Sequence, residues 1–306
     1  MILVTGANGQ AGSAVIREFV RQQFPVRALV RSRAKAQALE NFATVELVEG
    51  DMARPETLAD AFSGVDRVLV ISSSDAEMVR TQSAFVDAAV KAGVRHIVKL
   101  SGLQASLTSP FLFNRMHAEI ERHIERSRIA WTHLRPSQFM TEYLRELPTI
   151  VPKSAFFLPL EDVKLAPVDM EDIAKAAFAL LHTSDHEGKR YEMTGPEALS
   201  MTEIAEQMSL AIGKIVRYVN ISPADRSRAL LAAGLPPYVV DALDVQASER
   251  RKGATGEGVV HPETHAALGL RLTTFAEFAR RNASVLRGEA TGSRGREEGY
   301  KTSVLR

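Results

Sequence analysis

The sequence predicts an α/β fold in which a doubly wound parallel sheet is followed by a smaller, mostly helical C-terminal lobe. The first observation is a regular alternation of strand-like and helix-like segments between residues 2 and 193. Repeats of this length imply parallel strands with helices on both faces of the sheet. The second observation is that nearly every segment after Ser200 has the apolar spacing of a helix.

The predicted elements follow one another in order. Apolar, β-branched runs predict strands at 2–5, 26–30, 45–49, 67–71, 96–100 and 131–135. Between them, apolar residues with helical spacing predict helices at 11–22, 34–40, 55–62, 76–92 and 112–127. Two short strands, a helix and a further sheet strand come next, at 156–160, 165–168, 170–182 and 190–193. The C-terminal helices are predicted at 200–212, 223–233, 236–251, 262–268 and 273–287.

The domain boundaries are placed where the alternation of strands and helices ends. Residues 1–150, together with 166–195, are assigned to the sheet domain. Residues 151–165 and 196–287 are assigned to a substrate lobe that covers the carboxyl ends of the strands, where open α/β sheets bind ligands. Residues 288–306 are rich in glycine and charge without apolar periodicity, which predicts a disordered tail.

The composition excludes several kinds of partner and chemistry. The 306 residues carry a net charge of +1, so neither nucleic acid nor a membrane surface is expected as a partner. The absence of cysteine excludes disulfides and thiolate catalysis, and no apolar run approaches the about 18 residues of a membrane span. We therefore expect a cytoplasmic protein. Two histidine pairs lack a carboxylate that would complete a ligand set, so no metal is expected at His182 and His186 or at His261 and His265.

A glycine-rich turn joins the first strand to the first helix. Gly6 allows a sharp turn, Gly9 allows the backbone to approach a pyrophosphate, and Gly12 allows the helix to pack closely on the sheet. The amides at the start of such a helix face bound phosphates. The sheet domain is therefore predicted to be a Rossmann domain that binds NAD(P). The predicted site at this turn comprises Gly6, Asn8, Gly9, Gln10, Ala11 and Gly12.

The end of the second predicted strand carries Arg31 and Arg33, where NAD-specific sites have an acidic residue. An arginine at this point suits the 2′-phosphate of NADP. The sequence therefore favours NADP(H), with NAD(H) possible as a second cofactor. The alternative is a basic turn that is simply exposed to water.

Three further strand ends complete the predicted cofactor site. Asp51 and Met52 follow the third strand and could flank an adenine ring, although Asp51 is equally suited to cap a turn. Ser72 and Ser73 follow the fourth strand, where small residues let a cofactor cross closely. Ser101 follows the fifth strand, near the expected position of the nicotinamide.

Several motifs together resemble one family. The chain is similar to the NmrA-like branch of the atypical short-chain dehydrogenase/reductases at 5–12, 49–51, 61–66, 92–98, 134–140 and 167–174. Residues 233–237 resemble the substrate-lobe signature of triphenylmethane reductases, type-two quinone oxidoreductases and flavin-free azoreductases. The resemblance covers roughly residues 1–287, and within it Pro136 is assigned to the cofactor site.

The resemblance also shows a departure from ordinary short-chain dehydrogenases, which use a Tyr-x-x-x-Lys pair. Phe113 and His117 occupy the equivalent positions here, so the tyrosine that acts as an acid is missing. The dye and quinone reductases that the chain resembles also carry a histidine at the position of His117. This residue shares a helix face with Ile120 and Ile124, so it points toward the fold. Its role is either to hold the nicotinamide ribose, to relay a proton, or to fill a partly buried structural position.

The resemblance implies a flavin-independent NAD(P)H reductase that acts on an electron-poor conjugated acceptor, such as a quinone, an azo compound or a related dye. Neither flavin nor metal is expected, and the protein is expected to be a monomer or a homodimer. The predicted catalytic residue is His117, and the predicted substrate residues are Phe139, Met140 and Tyr238. The alternative is a redox-sensing regulator that binds NAD(P) without turnover.

Overall fold

Residues 1–289 are described by the structure, which is a computed structural model. They form two units. Unit 1 comprises Met1–Thr108, Phe113–Pro136 and Met170–Glu192. Unit 2 comprises Ser109–Leu112, Ser137–Asp169 and the chain from Met193 onward. The predicted tail at 288–306 lies, from residue 290, outside the described residues.

The strands of the described chain follow in this order: β1 (Ile2–Val4), β2 (Val26–Val30), β3 (Val45–Glu49), β4 (Arg67–Val70), β5 (His96–Leu100), β6 (Ala130–Pro136), β7 (Ala155–Leu158), β8 (Lys164–Leu165), β9 (Lys189–Met193), β10 (Leu199–Ser200) and β11 (Arg217–Asn220). The α-helices are α1 (Gln10–Arg21), α2 (Gln37–Glu40), α3 (Ala59–Phe62), α4 (Met78–Lys91), α5 (Leu112–Arg126), α6 (Leu147–Lys153), α7 (Met170–His182), α8 (Met201–Ile212), α9 (Pro223–Ala232), α10 (Pro237–Arg251), α11 (Pro262–Ala267), α12 (Phe275–Arg281) and α13 (Ala283–Leu286).

The sheet of unit 1 has seven strands in the order β3-β2-β1-β4-β5-β6-β9. Every pair from β3 to β6 is parallel, and β1 pairs with β2 on one side and with β4 on the other. The chain therefore reverses its direction of winding between β1 and β4. Ligands of open α/β sheets bind outside the carboxyl ends of the strands at such a reversal. The predicted Rossmann fold is confirmed.

Unit 1 buries its strands from both faces, as a parallel sheet requires. All residues of β1, β2 and β5 are buried. On one face α1 packs on α7 through Phe19 and Phe178, whose ring centroids lie 4.9 Å apart in an edge-to-face arrangement. This packing fixes α1 against the sheet, and with it the glycine turn that precedes the helix.

Unit 2 is mostly helical and has its own apolar core. Aromatic residues of different segments meet there, for example Tyr143 and Phe275 with ring centroids 5.3 Å apart. The short strand β7 pairs in parallel with β11, and β8 pairs antiparallel with β10. In contrast, α9 has no buried residue. Among residues 1–289, no helix is both long enough and apolar enough to cross a membrane.

The structure differs from the sequence prediction in several elements. The helices predicted at 34–40 and 55–62 are each a short 3-10 turn followed by one turn of α-helix. Residues 137–150, assigned from sequence to the sheet domain, belong to unit 2 and contain a 3-10 segment and the start of α6. The helix α6 contains Pro148 and Pro152. The sequence did not predict this helix, because proline is unfavourable within helices.

Candidate functional site

The glycine turn after β1 brings the start of α1 against the backbone of Gly6. Gly6 has a φ of +61°, a conformation that L side chains rarely adopt. The Gly9 amide donates to the Gly6 carbonyl at 2.8 Å. A Cβ atom on Gly12 would lie 2.2 Å from the same carbonyl oxygen. Side chains are thus excluded at Gly6 and Gly12, and the helix begins directly above the turn.

The N-terminus of α1 is open to an anion. Its N-cap is Gly9, no side chain caps the helix, and its first turn contains no acidic residue. The first backbone amides of a helix have no partner within the helix, and the helix dipole adds partial positive charge there. Asn8 and Gln10 are exposed beside this end, whereas Ala11 is buried. These features fit the diphosphate of a dinucleotide, which needs donors and no opposing carboxylate.

The end of β4 is fastened to the glycine turn by Thr5. The Thr5 hydroxyl donates to the Ile71 carbonyl at 2.7 Å and accepts from the Ile71 amide at 2.7 Å. Beyond this point the Ser72 hydroxyl accepts from the Gln82 side-chain amide at 2.8 Å, and Ser73 is exposed. The small side chains predicted from sequence therefore follow the strand next to β1.

The two arginines after β2 have different environments. Arg31 is exposed, and it has no hydrogen bond or ion pair to another residue of the described chain. Arg33 instead donates through Nη2 to the Leu47 carbonyl on β3 at 2.6 Å, while its backbone amide donates to the Glu49 carboxylate at 2.6 Å. Arg31 is therefore the arginine of this pair that remains free to bind a ligand.

Asp51 and Met52 follow β3 as expected. The Asp51 carboxylate accepts from the backbone amide of Ala53 at 3.0 Å and lies 3.4 Å from the Arg54 side chain. Met52 is buried. Of the two interpretations of Asp51, these contacts favour the turn cap, since its carboxylate already has local partners.

A buried lysine lies beside His117, and the sequence interpretation missed it. Lys99, in β5, is fully buried, and its Nζ lies 2.9 Å from Nδ1 of His117 on α5. The same Nζ donates to the Leu100 carbonyl at 3.0 Å. A Cβ on Gly102 would lie 3.8 Å from Nε2 of His117, so the outer nitrogen of the imidazole lies beyond the carboxyl end of β5. This is the edge of the sheet where ligands bind.

Burial shifts the pKa of both groups in the same direction. Desolvation lowers the pKa of Lys99 from 10.5 to about 7, which Arg135 assists and Glu121 opposes. Desolvation, together with the charges of Lys99 and Arg135, holds the pKa of His117 well below 6.5. At neutral pH the imidazole is therefore uncharged, and Lys99 is close to its own titration point.

Glu121 balances the positive charge around this pair. Its carboxylate accepts from Arg135 at 2.9 Å, and Arg135 also lies 3.1 Å from Glu192. Burial alone would raise the pKa of Glu121. The hydrogen bond and charge of Arg135 lower this pKa by more than burial raises it, so the net shift is downward. The buried region thus contains fixed charges of both signs, as buried charges require.

One group of potential metal ligands was not singled out from sequence. Ligand atoms of Glu121, Glu125 and His133 lie within 4.8 Å of one another. Each carboxylate, however, already accepts from an arginine, Glu121 from Arg135 and Glu125 from Arg190. These ion pairs neutralise the acids that a cation would need, so the group forms a charge network within unit 1.

The remaining predicted residues lie at the ends of β5 and β6 and in unit 2. Pro136 is buried, and its carbonyl accepts from the Leu103 amide at 2.9 Å. Ser101 is buried, and its amide donates to the Leu134 carbonyl. In unit 2, Met140 is fully buried within the apolar core, Phe139 is half-buried, and Tyr238 is exposed at the start of α10.

The fold and the glycine turn define the class of NAD(P)-binding Rossmann proteins. Residues 1–279 match the model of the NmrA-like family, and the chain belongs to this family. The resemblance drawn from the sequence motifs is confirmed.

Proteins named as reductases match nearly the whole chain. The NAD(P)H azoreductase of Xenophilus azovorans is 36% identical over 285 residues, which are 93% of this chain and 98% of the relative. The NADPH-dependent quinone oxidoreductase of Escherichia coli, solved with NADPH, is 33% identical with a TM-score of 0.82 and coverage of 92% and 99%. The triphenylmethane reductase of a Citrobacter species, solved with NADP(H), is 27% identical with a TM-score of 0.80 and coverage of 92% and 100%.

The buried Lys99 should make the stability of the protein depend on pH. Its pKa is about 7 in the folded protein and near 10.5 when the chain is unfolded, so the unfolded state binds more protons between these values. Folding stability should therefore fall as the pH drops from about 10.5 to 7. We expect Lys99→Met to raise the free energy of unfolding at pH 7 by on the order of 3 kcal/mol, and by much less at pH 10.

Urea unfolding of both proteins at several pH values measures this difference. Lys91→Met is the matched control because Lys91 is exposed on α4. A stability difference between Lys99→Met and the unmodified protein that stays constant from pH 7 to pH 10 would contradict the buried, proton-poor amine.

Proposed function

We propose that the protein is a flavin-independent reductase that transfers a hydride from NADPH to an electron-poor conjugated acceptor, such as a quinone, an azo compound or a related dye. The coarser assignment, an NAD(P)H-dependent oxidoreductase, follows from its family and from reductases that match it over nearly the whole chain. One observation supports the finer proposal most strongly. A buried Phe113 stands at the position of the tyrosine needed for alcohol–ketone chemistry, on the same helix as His117, which contacts Lys99.

The proposed cofactor site uses residues of unit 1. The first amides of α1 would bind the diphosphate, and the glycines at 6 and 12 let the helix begin close to the turn, with its amides at the end of β1. Arg31 would bind the 2′-phosphate, since it is exposed and makes no bond within the described chain. Ser72 and Ser73 would let the cofactor pass the end of β4, and Ser101 and Pro136 would lie near its nicotinamide end.

In the proposed reaction the acceptor receives its hydride and its proton from different sources. NADPH supplies the hydride when it is bound. An electron-poor conjugated acceptor takes up a hydride without first being protonated, so a tyrosine acid is not required. The residues of the chain then have two tasks, to hold the reactants in contact and, for a neutral acceptor such as a quinone or an azo compound, to supply a proton to the resulting anion. His117 is the proposed proton donor or ribose ligand, through Nε2.

The acceptor is proposed to contact unit 2. Of the predicted substrate residues, Phe139 and Tyr238 have accessible surface, whereas Met140 lies in the core and would act only by supporting its neighbours. Flat aromatic rings offer large apolar contact area to conjugated acceptors. Such rings suit quinones and dyes better than small polar alcohols or ketones.

Anaerobic turnover with the purified protein tests the proposal. We expect the protein, prepared without flavin and with none added, to oxidise NADPH only when a quinone, an azo dye or a triphenylmethane dye is present. Acceptor reduction should match NADPH oxidation one hydride for one. The glycine-turn variant Gly12→Val, which places side-chain atoms against the Gly6 carbonyl, is the inactive control.

Two results would contradict the proposal. Activity that appears only after flavin is added would refute direct transfer. Tight NADPH binding with no turnover of any acceptor would favour the regulator, the alternative raised by the sequence.

Arg31→Ala should separate the two nicotinamide cofactors. A charge-assisted hydrogen bond to a phosphate contributes about 1.5–3 kcal/mol, so the dissociation constant for NADPH should rise by about 10- to 100-fold while that for NADH stays the same. Fluorescence titration with both cofactors measures the change. Arg33→Ala is the matched comparison and should have the smaller effect on NADPH, because Arg33 is bound to the Leu47 carbonyl. Equal losses for NADPH and NADH would show that Arg31 does not recognise the 2′-phosphate.

A further inference from the structure

We propose that Lys99 is a positioning residue that fixes the tautomer of His117 and resupplies its proton during turnover. The proposal rests on the reductase function proposed above and adds a residue to its site. Ordinary short-chain dehydrogenases place their lysine on the same helix as the acid. Here Lys99 comes from β5 and His117 from α5, so the pair is assembled by the fold and not by a local sequence motif.

The geometry of the pair determines which imidazole nitrogen carries the proton. A lysine ammonium group can only donate hydrogen bonds, and Lys99 Nζ lies 2.9 Å from Nδ1 of His117. While Lys99 carries its proton, Nδ1 is therefore the acceptor, which leaves the proton of the neutral ring on Nε2. Because Nε2 is the outer nitrogen, near Gly102, the imidazole presents an N–H donor at the carboxyl end of β5.

Lys99 has few partners other than His117. The described hydrogen bonds of its ammonium group go to the Leu100 carbonyl and to His117. The charged and titratable groups that face the pair are Glu121 on α5, with Arg135 and His133 on β6. Burial lowers the pKa of Lys99 to about 7, so a proton leaves this amine far more readily than it leaves an exposed lysine.

The proton passes through His117 and is replaced from Lys99. A neutral acceptor, such as a quinone or an azo compound, carries a negative charge after it gains the hydride that NADPH supplies. The Nε2–H bond of His117 breaks and the proton passes to that anion, while an Nζ–H bond of Lys99 breaks and its proton passes to Nδ1. The imidazole stays neutral as the Nδ1–H tautomer, and Lys99 becomes an uncharged amine. A water molecule then donates a proton to Nε2 and leaves as hydroxide, and the Nδ1 proton returns to Lys99, which restores the starting state.

The substitution Lys99→Met removes the donor and keeps an unbranched side chain in the buried position. We expect the dissociation constant for NADPH to change by no more than about twofold, because the described hydrogen bonds of the Lys99 amine go to Leu100 and His117 and none goes to the glycine turn or to Arg31. The turnover number should fall by about 100-fold, the lower end of what a positioned proton donor contributes.

In the unmodified protein turnover should decrease as the pH rises through about 7, when Lys99 loses its proton, and this decrease should be absent in Lys99→Met. Lys91→Met, an exposed change, should behave like the unmodified protein.

Nitrogen NMR of the histidines gives a readout that does not depend on turnover. His117 should be the Nε2–H tautomer at pH 6.5 in the unmodified protein, and Lys99→Met should give a mixture of tautomers. A His117 that is the Nδ1–H tautomer in the unmodified protein would overturn the proposal, and so would an unchanged tautomer and pH profile in Lys99→Met. If no acceptor is turned over, the proposed function fails, whereas the tautomer still decides the role of Lys99.

Discussion

The close approach of α1 to the turn after β1 is the constraint on which the rest of the site depends. A Cβ of residue 12 would lie 2.2 Å from the Gly6 carbonyl oxygen, so the helix can begin at this point only with glycine there. As a consequence the free amides of α1 lie at the reversal between β1 and β4. Thr5 extends the constraint to β4 through its two bonds to Ile71. A cofactor bound at these amides would be directed along the carboxyl ends of the neighbouring strands.

The second constraint is the burial of charge next to that edge. Lys99 has no exposed surface, and the cost of its desolvation is expressed as a lowered pKa. Buried charges persist when hydrogen bonds and opposite charges surround them. Glu121, Arg135 and Glu192 provide such a network within unit 1. The destabilising amine is then explained by its position, since it contacts His117, whose Nε2 lies near Gly102 beyond the carboxyl end of β5.

The features that depend on spacing within one segment could be predicted from the sequence. The features that depend on which residues of different strands and helices lie beside each other could not. The glycine turn is encoded within eight residues, and the alternation of strands and helices identified the sheet. Lys99 was missed because a lone lysine in a strand resembles an exposed position, whereas neighbouring strands and α5 bury this one. The difference between Arg31 and Arg33 also depends on register, because the Leu47 carbonyl that binds Arg33 comes from β3. Similarly β11 exists only through its pairing with β7.

The most direct test of this account is the affinity of Gln10→Glu for the cofactor. This change exchanges an amide for a carboxylate of the same shape at the exposed first position of α1. A negative charge there stabilises the helix through its dipole but repels a bound diphosphate. The account predicts that NADPH and NADH both bind more weakly to Gln10→Glu while its thermal stability is kept or raised. Unchanged affinity for both cofactors, in a protein of unchanged stability, would contradict the site at the start of α1.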